Sequence, residues 1–160
     1  MDAWIGGLGD RERTLAIMKD PAAGPMGALS IVLVLLLKTT AVHALLPGGA
    51  VYALLIPPVL ARTSVLLLMI STPYVRRGGL AAALAEEVDR RRCLEVCGFT
   101  ALILIVCWPL PALLCLLAGA GLLLAWRGLL LKRLGGYTGD TIGALIEAVE
   151  VMLLIMLALF

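Results

Sequence analysis

Leu134-Gly-Gly-Tyr-Thr-Gly-Asp-Thr-Ile-Gly-Ala-Leu-Ile-Glu-Ala-Val-Glu150, continued by the apolar run Val151–Phe160, decides the fold. A polar, glycine-rich loop feeds three acids, Asp140, Glu147 and Glu150, into a helix otherwise built for lipid. An ionised carboxylate inside a membrane helix costs roughly 2.5–3.5 kcal/mol on the insertion scale. Such residues therefore face a polar cavity, a partner charge or a metal. The segment reads as the last span of a membrane bundle and as the first candidate for a site.

Composition supports the membrane reading. The chain is 62% hydrophobic with a mean hydropathy of +1.06. Soluble domains hold about 45–50% apolar residues. A soluble domain could not hide so much apolar surface, so the expected class is all-α, a polytopic membrane helix bundle whose partner is the lipid bilayer. The net charge of +2 is small and dispersed, which argues against nucleic acid as a partner. Cys93, Cys97, Cys107 and Cys115 lie in or beside apolar runs with no histidine set to complete a zinc site, and read as ordinary thiols. The first 27 residues lack an apolar core of signal-peptide type, so no cleavable signal is expected.

Five hydrophobic segments follow outward from that last helix: Ala28–Leu46, Val51–Ser71 (interrupted by Pro57-Pro58), Cys93–Trp108, Pro111–Leu131 and Thr141–Phe160. About 20 apolar residues cross a bilayer, and the third run suffices only if it is short or tilted. Arg and Lys cluster before the first span, between the second and third, and between the fourth and fifth. The other two connections carry no charge. Five spans place every charged connection on one side, which the positive-inside rule makes cytoplasmic. The expected organisation is a cytoplasmic segment over residues 1–27 with a short helix and a metal-site remnant. A transmembrane bundle over 28–160 follows, with a cytoplasmic loop at 73–92 and the glycine-rich loop at 134–141. Within the cytoplasmic loop, Leu80, Leu84 and Val88 have the i, i+4 spacing of an interfacial helix, and Arg90–Arg92 reads as a headgroup anchor.

Lys38, Arg62 and Glu150 stand deep in their spans, and Glu147 shares a helical face with Glu150. Two buried cations and two buried anions predict pairing, and charge-swapped double mutants are expected to restore it in part. The network either holds the bundle together or shapes a polar cavity for an anionic substrate. His43 is the single histidine and reads as an interfacial residue, and no Ser-His-Asp set is present. In the amino-terminal segment, Asp10 predicts the N-cap of a helix over Arg11–Lys19, stopped by Pro21 and Gly24. Asp2 and Asp20 bracket that helix, where carboxylates can hold Mg²⁺ against a phosphate.

The two ends of the chain carry a resemblance. Asp2-Ala-Trp-Ile-Gly-Gly, the run Asp10-Arg-Glu-Arg-Thr-Leu-Ala-Ile-Met-Lys-Asp20-Pro, and the Leu134–Glu150 stretch resemble the adenosylcobinamide-GDP ribazoletransferase (cobalamin 5′-phosphate synthase) family. The similarity runs along the whole chain, with Lys38, Arg62 and Tyr74 in matching context. It implies an enzyme of the cytoplasmic (inner) membrane acting late in cobalamin biosynthesis. Such an enzyme joins adenosylcobinamide-GDP to α-ribazole or its 5′-phosphate, releases GMP and needs Mg²⁺. The resemblance implies metal ligation by Asp2 and Asp20, and catalytic roles for Asp20, Lys38, Arg62 and Asp140. Gly135, Gly136, Thr138, Gly139, Thr141, Glu147 and Glu150 are then the substrate-binding set. Loop N–H groups and the positive end of the helix from Thr141 are expected to receive phosphate, and Asp140 is either the N-cap of that helix or a ligand.

Two departures qualify the resemblance. Family members carry an Asp-Gly-x-Ala-Asp-x-x-Asp stretch, of which Asp2 matches only the last acid. The chain thus resembles the carboxy-terminal two-thirds of a member, and these residues alone are expected to bind Mg²⁺ poorly and to turn over little or not at all. Ala22 stands where many relatives have an arginine. The competing readings are an inactive remnant, a non-catalytic membrane subunit, or a CDP-alcohol phosphotransferase, whose Asp-Gly-x-x-Ala-Arg signature this sequence lacks.

Overall fold

The computed structural model describes residues 1–20, 22–48, 51–76, 82 and 87–159. Its helices are α1 (Asp2–Gly6), α2 (Arg11–Ile17), α3 (Pro25–Leu45), α4 (Val51–Ser71), α5 (Arg90–Cys107), α6 (Pro109–Leu134) and α7 (Gly139–Ala158). A 3₁₀ turn over Leu46–Gly48 follows α3. Among the described residues no strand forms, as the all-α expectation requires. The interfacial helix read through Leu80 and Leu84 lies outside the described residues.

Among the described residues, four helices are long and apolar enough to cross a membrane: Pro25–Gly48, Leu54–Ser71, Pro109–Leu134 and Gly139–Ala158. The expected third span is the exception. The first turns of α5 carry Arg90, Arg91, Arg92 and Glu95, leaving an apolar stretch of only Val96–Cys107. At 1.5 Å per residue that stretch covers ~18 Å of a ~30 Å hydrocarbon core. It nevertheless packs between α4 and α6 as part of the bundle. The protein is a multi-pass membrane helix bundle.

α7 is the central helix, packed against α3, α4 and α6. Its buried residues Thr141, Leu145, Val149, Leu153 and Leu157 recur every four positions, the spacing that keeps side chains on one face of a helix. Leu145, Val149, Leu153 and Leu157 meet Ile56, Leu60, Ala61 and Leu68 of α4 and Leu123, Leu130 and Leu134 of α6 in one core. Outward-facing leucines of α3, such as Leu33, Leu36 and Leu37, are about half exposed. In water that pattern would be a liability; in lipid it is the solvent-facing surface. α4 continues through Pro57-Pro58, each of which removes a backbone donor that a helix interior normally uses.

The short helices α1 and α2 fold back as a cap on the bundle. Asp10 accepts from the Arg13 N–H at 3.0 Å and caps α2, as its sequence position predicts. Thr14 is fully buried and its hydroxyl lies 2.8 Å from the Gly7 carbonyl and 2.7 Å from that of Asp10, which fixes the α1–α2 turn. Arg133, at the end of α6, donates to the Trp4 carbonyl and lays its guanidinium 4.3 Å from the centre of the Trp4 ring. These contacts tie the amino-terminal segment to the end of the bundle where α7 begins.

Candidate functional site

Three carboxylates from separate segments meet one cavity of about 500 Å³. Asp2 comes from α1, Asp20 from the turn after α2, and Asp140 from the first turn of α7; Thr141, Trp4 and Trp126 line the same space. Each acid is placed by its own local chemistry. The Asp2 carboxylate accepts from the N–H groups of Gly24 (3.1 Å), Met26 (3.0 Å) and Gly27 (2.9 Å), which are donors left over at the start of α3. Partial desolvation pushes the Asp2 carboxyl upward, but bonds from the N–H groups of Gly27, Met26 and Gly24 win and hold it below the usual carboxylate range. Asp20 accepts from the Ala22 N–H at 2.9 Å through one oxygen, an Asx turn, and its other oxygen has no partner among the described residues. Asp140 receives Arg76 at 3.0 Å.

The glycine-rich loop that delivers Asp140 is braced by its own turns and by the Pro73–Val75 segment. Gly135 closes α6 in the left-handed region (φ 76°), and its N–H bonds back to the Leu130 and Leu131 carbonyls. Gly136 lies against the Pro73 carbonyl, where a Cβ would sit 2.1 Å from the oxygen, so no other residue fits without displacing the loop. That approach lets Tyr137 donate to the Pro73 carbonyl at 2.9 Å and accept from Val75 at 3.1 Å. The Tyr137 ring meets Tyr74 edge-on at 5.3 Å, and burial followed by the nearby Tyr74 pushes its hydroxyl above the usual range. Thr138 and Thr141 form a reciprocal capping box at the start of α7.

This geometry changes two expectations. Thr138, not Asp140, is the N-cap of α7, which leaves the Asp140 side chain to the cavity and Arg76. The N–H groups of Gly135, Tyr137 and Thr138 are already bonded within the protein, so the loop is a brace more than a phosphate cradle. Gly139 and Asp140 remain in the first turn of α7, where N–H groups have no acceptor within the helix.

The deep charges form a second group. Lys38 of α3 contacts Glu147 at 2.7 Å and Glu150 at 2.6 Å, and Arg62 of α4 contacts Glu150 at 2.8 Å. Arg62 also donates to the Pro58 carbonyl one turn earlier. Two cations and two anions close the group with no net charge, as the expected pairing requires. The residues read together as catalytic thus fall into two places. Asp20 and Asp140 stand on the cavity, whereas Lys38 and Arg62 are held by glutamates seven to ten residues further along α7, ~10–15 Å from Asp140. Ala144, one turn before Glu147 on α7, lines the cavity.

Sequence reasoning did not single out Trp4, Trp126, Arg76 or Arg133 as site residues. Trp4 lies in the Asp2-Ala-Trp-Ile-Gly-Gly motif, and Arg76 lies among the charges that set the topology. Nothing local in the sequence places Arg76 against Asp140, 64 residues away.

The model of the cobalamin-5-phosphate synthase family matches residues 1–158. The chain belongs to that family. It is 49% identical over 158 residues to an adenosylcobinamide-GDP ribazoletransferase of Pseudomonas entomophila, covering 99% of this chain and 65% of the relative. It is 52% identical over 159 residues to the enzyme of that name from Pseudomonas aeruginosa strain PAO1, covering 99% of this chain and 64% of the relative. The chain therefore spans just under two-thirds of the length of the curated relatives it matches. No solved structure matches it.

Proposed function

We propose that this protein catalyses the reaction for which its relatives are named, joining adenosylcobinamide-GDP to α-ribazole or its 5′-phosphate with release of GMP, at the cytoplasmic (inner) membrane. The observation that carries the reading is the meeting of Asp2, Asp20 and Asp140 on one cavity in a chain of this family. In the transfer, a ribose hydroxyl oxygen bonds to the phosphorus that carries the cobinamide. The bond from that phosphorus to the bridging oxygen breaks, and the oxygen leaves on GMP. The hydroxyl proton needs an acceptor. We assign this to Asp140, whose carboxylate is oriented by Arg76 as a base is oriented by a third group in other nucleophile activations.

Magnesium suits the donor set only as a shared ion. Among the described residues no three acids or histidines stand close enough to hold a metal by themselves. Mg²⁺ commonly takes one or two carboxylates and fills its remaining positions with water and substrate phosphate. Asp20, one of whose oxygens has no partner among the described residues, and Asp2, with part of its acceptor capacity left over from capping α3, are the residues that would hold it. When bound it would neutralise pyrophosphate charge. Lys38 and Arg62, each matched by a glutamate, serve to fix α3 and α4 against α7 and so keep the cavity wall in place.

The direction of attack is testable with α-ribazole labelled with ¹⁸O in its ribose hydroxyls. The label is expected in the corrinoid product and absent from GMP. Label in GMP would show attack by a different oxygen and overturn the assignment.

A further inference from the structure

We propose that Trp4 and Trp126 wall a slot for the aromatic base of α-ribazole, while the corrinoid stays outside the cavity. This rests on the transferase reading and adds which part of which substrate the cavity holds. Size is the first argument. A space of about 500 Å³ lies within the range that encloses small ligands, and it suits a nucleoside far better than a corrin macrocycle with its side chains.

The chemistry of the wall is the second argument. Apart from the three aspartates and Thr141, the lining is apolar, with Ile17, Met18 and Leu129 beside the two indoles. Trp126 lines the cavity, yet its indole nitrogen is sealed from solvent and has no hydrogen-bond partner among the described residues. The ring therefore presents carbon to the space. Trp4 is held before any ligand arrives, because Arg133 stacks on its ring and bonds its carbonyl. A fixed aromatic wall binds without the cost of ordering a mobile one.

Guanine, the competing base, is matched only on one side. Its N1–H and amino group can meet an aspartate, but its carbonyl oxygen and N7 need donors, and an unmet acceptor is costly when buried. Among the described residues no lysine, arginine, asparagine or glutamine side chain lines the cavity, and the Thr141 hydroxyl already donates to the Thr138 carbonyl at 2.9 Å. The base of α-ribazole is a dimethylated bicyclic ring with one unprotonated nitrogen. Such a ring suits stacking against indole, and the acids are left to the ribose and phosphate chemistry.

Equilibrium dialysis of the purified protein in nanodiscs against radiolabelled α-ribazole, and separately against labelled GDP, tests the slot without turnover. Trp126→Leu is expected to weaken α-ribazole binding about tenfold, in line with the loss of one base-stacking partner. Trp126→Phe keeps an aromatic wall and should stay within about threefold of wild type, which separates stacking from a folding defect. GDP binding should be the same in all three proteins. Equal α-ribazole affinity in Trp126→Leu, no α-ribazole binding by wild type, or a selective loss of GDP binding would each overturn the slot. A Trp126-dependent α-ribazole signal, with no GMP released from adenosylcobinamide-GDP even when the chain is joined to the remaining third of a relative, would instead sink the transferase reading and leave the slot standing.

Discussion

Glu150→Gln should destabilise the bundle more than any other single change among the deep charges. Glu150 is the hinge of the network, contacting Lys38 at 2.6 Å and Arg62 at 2.8 Å with only 15% of its side chain exposed. Removing one partner of a buried ion pair costs about 3–5 kcal/mol, whereas exposed pairs are worth about 0–1 kcal/mol. Lys38 is 21% exposed and keeps Glu147; Arg62 is 66% exposed and loses its carboxylate. Weighting the two regimes gives a loss of about 2–3 kcal/mol. For a chain of this size that corresponds to a fall in Tm of about 5–10 °C. Glu147→Gln, on a half-exposed side chain, should cost about 1 kcal/mol or less. Exchanging Lys38 and Glu150 should not rescue, contrary to the expectation from the sequence. The exchanged carboxylate would meet Glu147, and the exchanged ammonium would meet Arg62. Thermal unfolding in detergent, followed by circular dichroism, measures all three. An unchanged Tm for Glu150→Gln, or a larger loss for Glu147→Gln, would refute the argument.

Three further outcomes are expected. Gly136→Ala should lower Tm by several degrees, since its Cβ would collide with the Pro73 carbonyl and part the Tyr74–Tyr137 contact; Gly143→Ala, with nothing within 4 Å, should be neutral or mildly stabilising, and equal effects in the two would contradict the loop geometry. The Asp2 carboxyl sits below its ordinary 3.8 in the folded protein, so its contribution is present above that value and is lost as pH falls through the lower, folded one. A Tm series below pH 4 should therefore decline less steeply in Asp2→Asn than in wild type, and parallel declines would remove Asp2 as the cause. In intact cells, Gly48→Cys should be labelled from outside and Gly79→Cys should not; the reverse would break the proposed topology.

Much of the fold was legible in the sequence because membrane helices announce themselves by length and apolarity. The starts of α3 and α7 fell within about three residues of their expected places, and the pairing of Lys38 and Arg62 with Glu150 followed from the cost of isolated charge at depth. The third run, expected to suffice only if short or tilted, falls short of the length of the other four because Arg90–Arg92 and Glu95 fill the first turns of its helix. The site was legible in its residues but not in its grouping. Asp2, Asp20 and Asp140 share a cavity through contacts that span more than 100 residues, such as Arg133 to Trp4 and Thr138 to Met18. The sequence leaves Asp140 open as N-cap or ligand because Asp140 and Thr138 are both good capping residues, and the backbone conformation of Thr138 decides between them.

The central claim is that the aspartate-lined cavity performs the transfer, with Asp140 as proton acceptor. Its most direct test is the simultaneous appearance of GMP and corrinoid product when the purified protein in nanodiscs is given adenosylcobinamide-GDP, α-ribazole and Mg²⁺. Residues 1–160 correspond to just under two-thirds of each curated relative, so the measurement is made with this chain alone and with it joined to the remaining third of a relative. The account predicts equimolar products, faster in the joined form. Asp140→Asn should lower kcat about 100-fold or more, with the KM for both substrates within about threefold. Unaltered kcat in Asp140→Asn, or GMP released without corrinoid product, would contradict it.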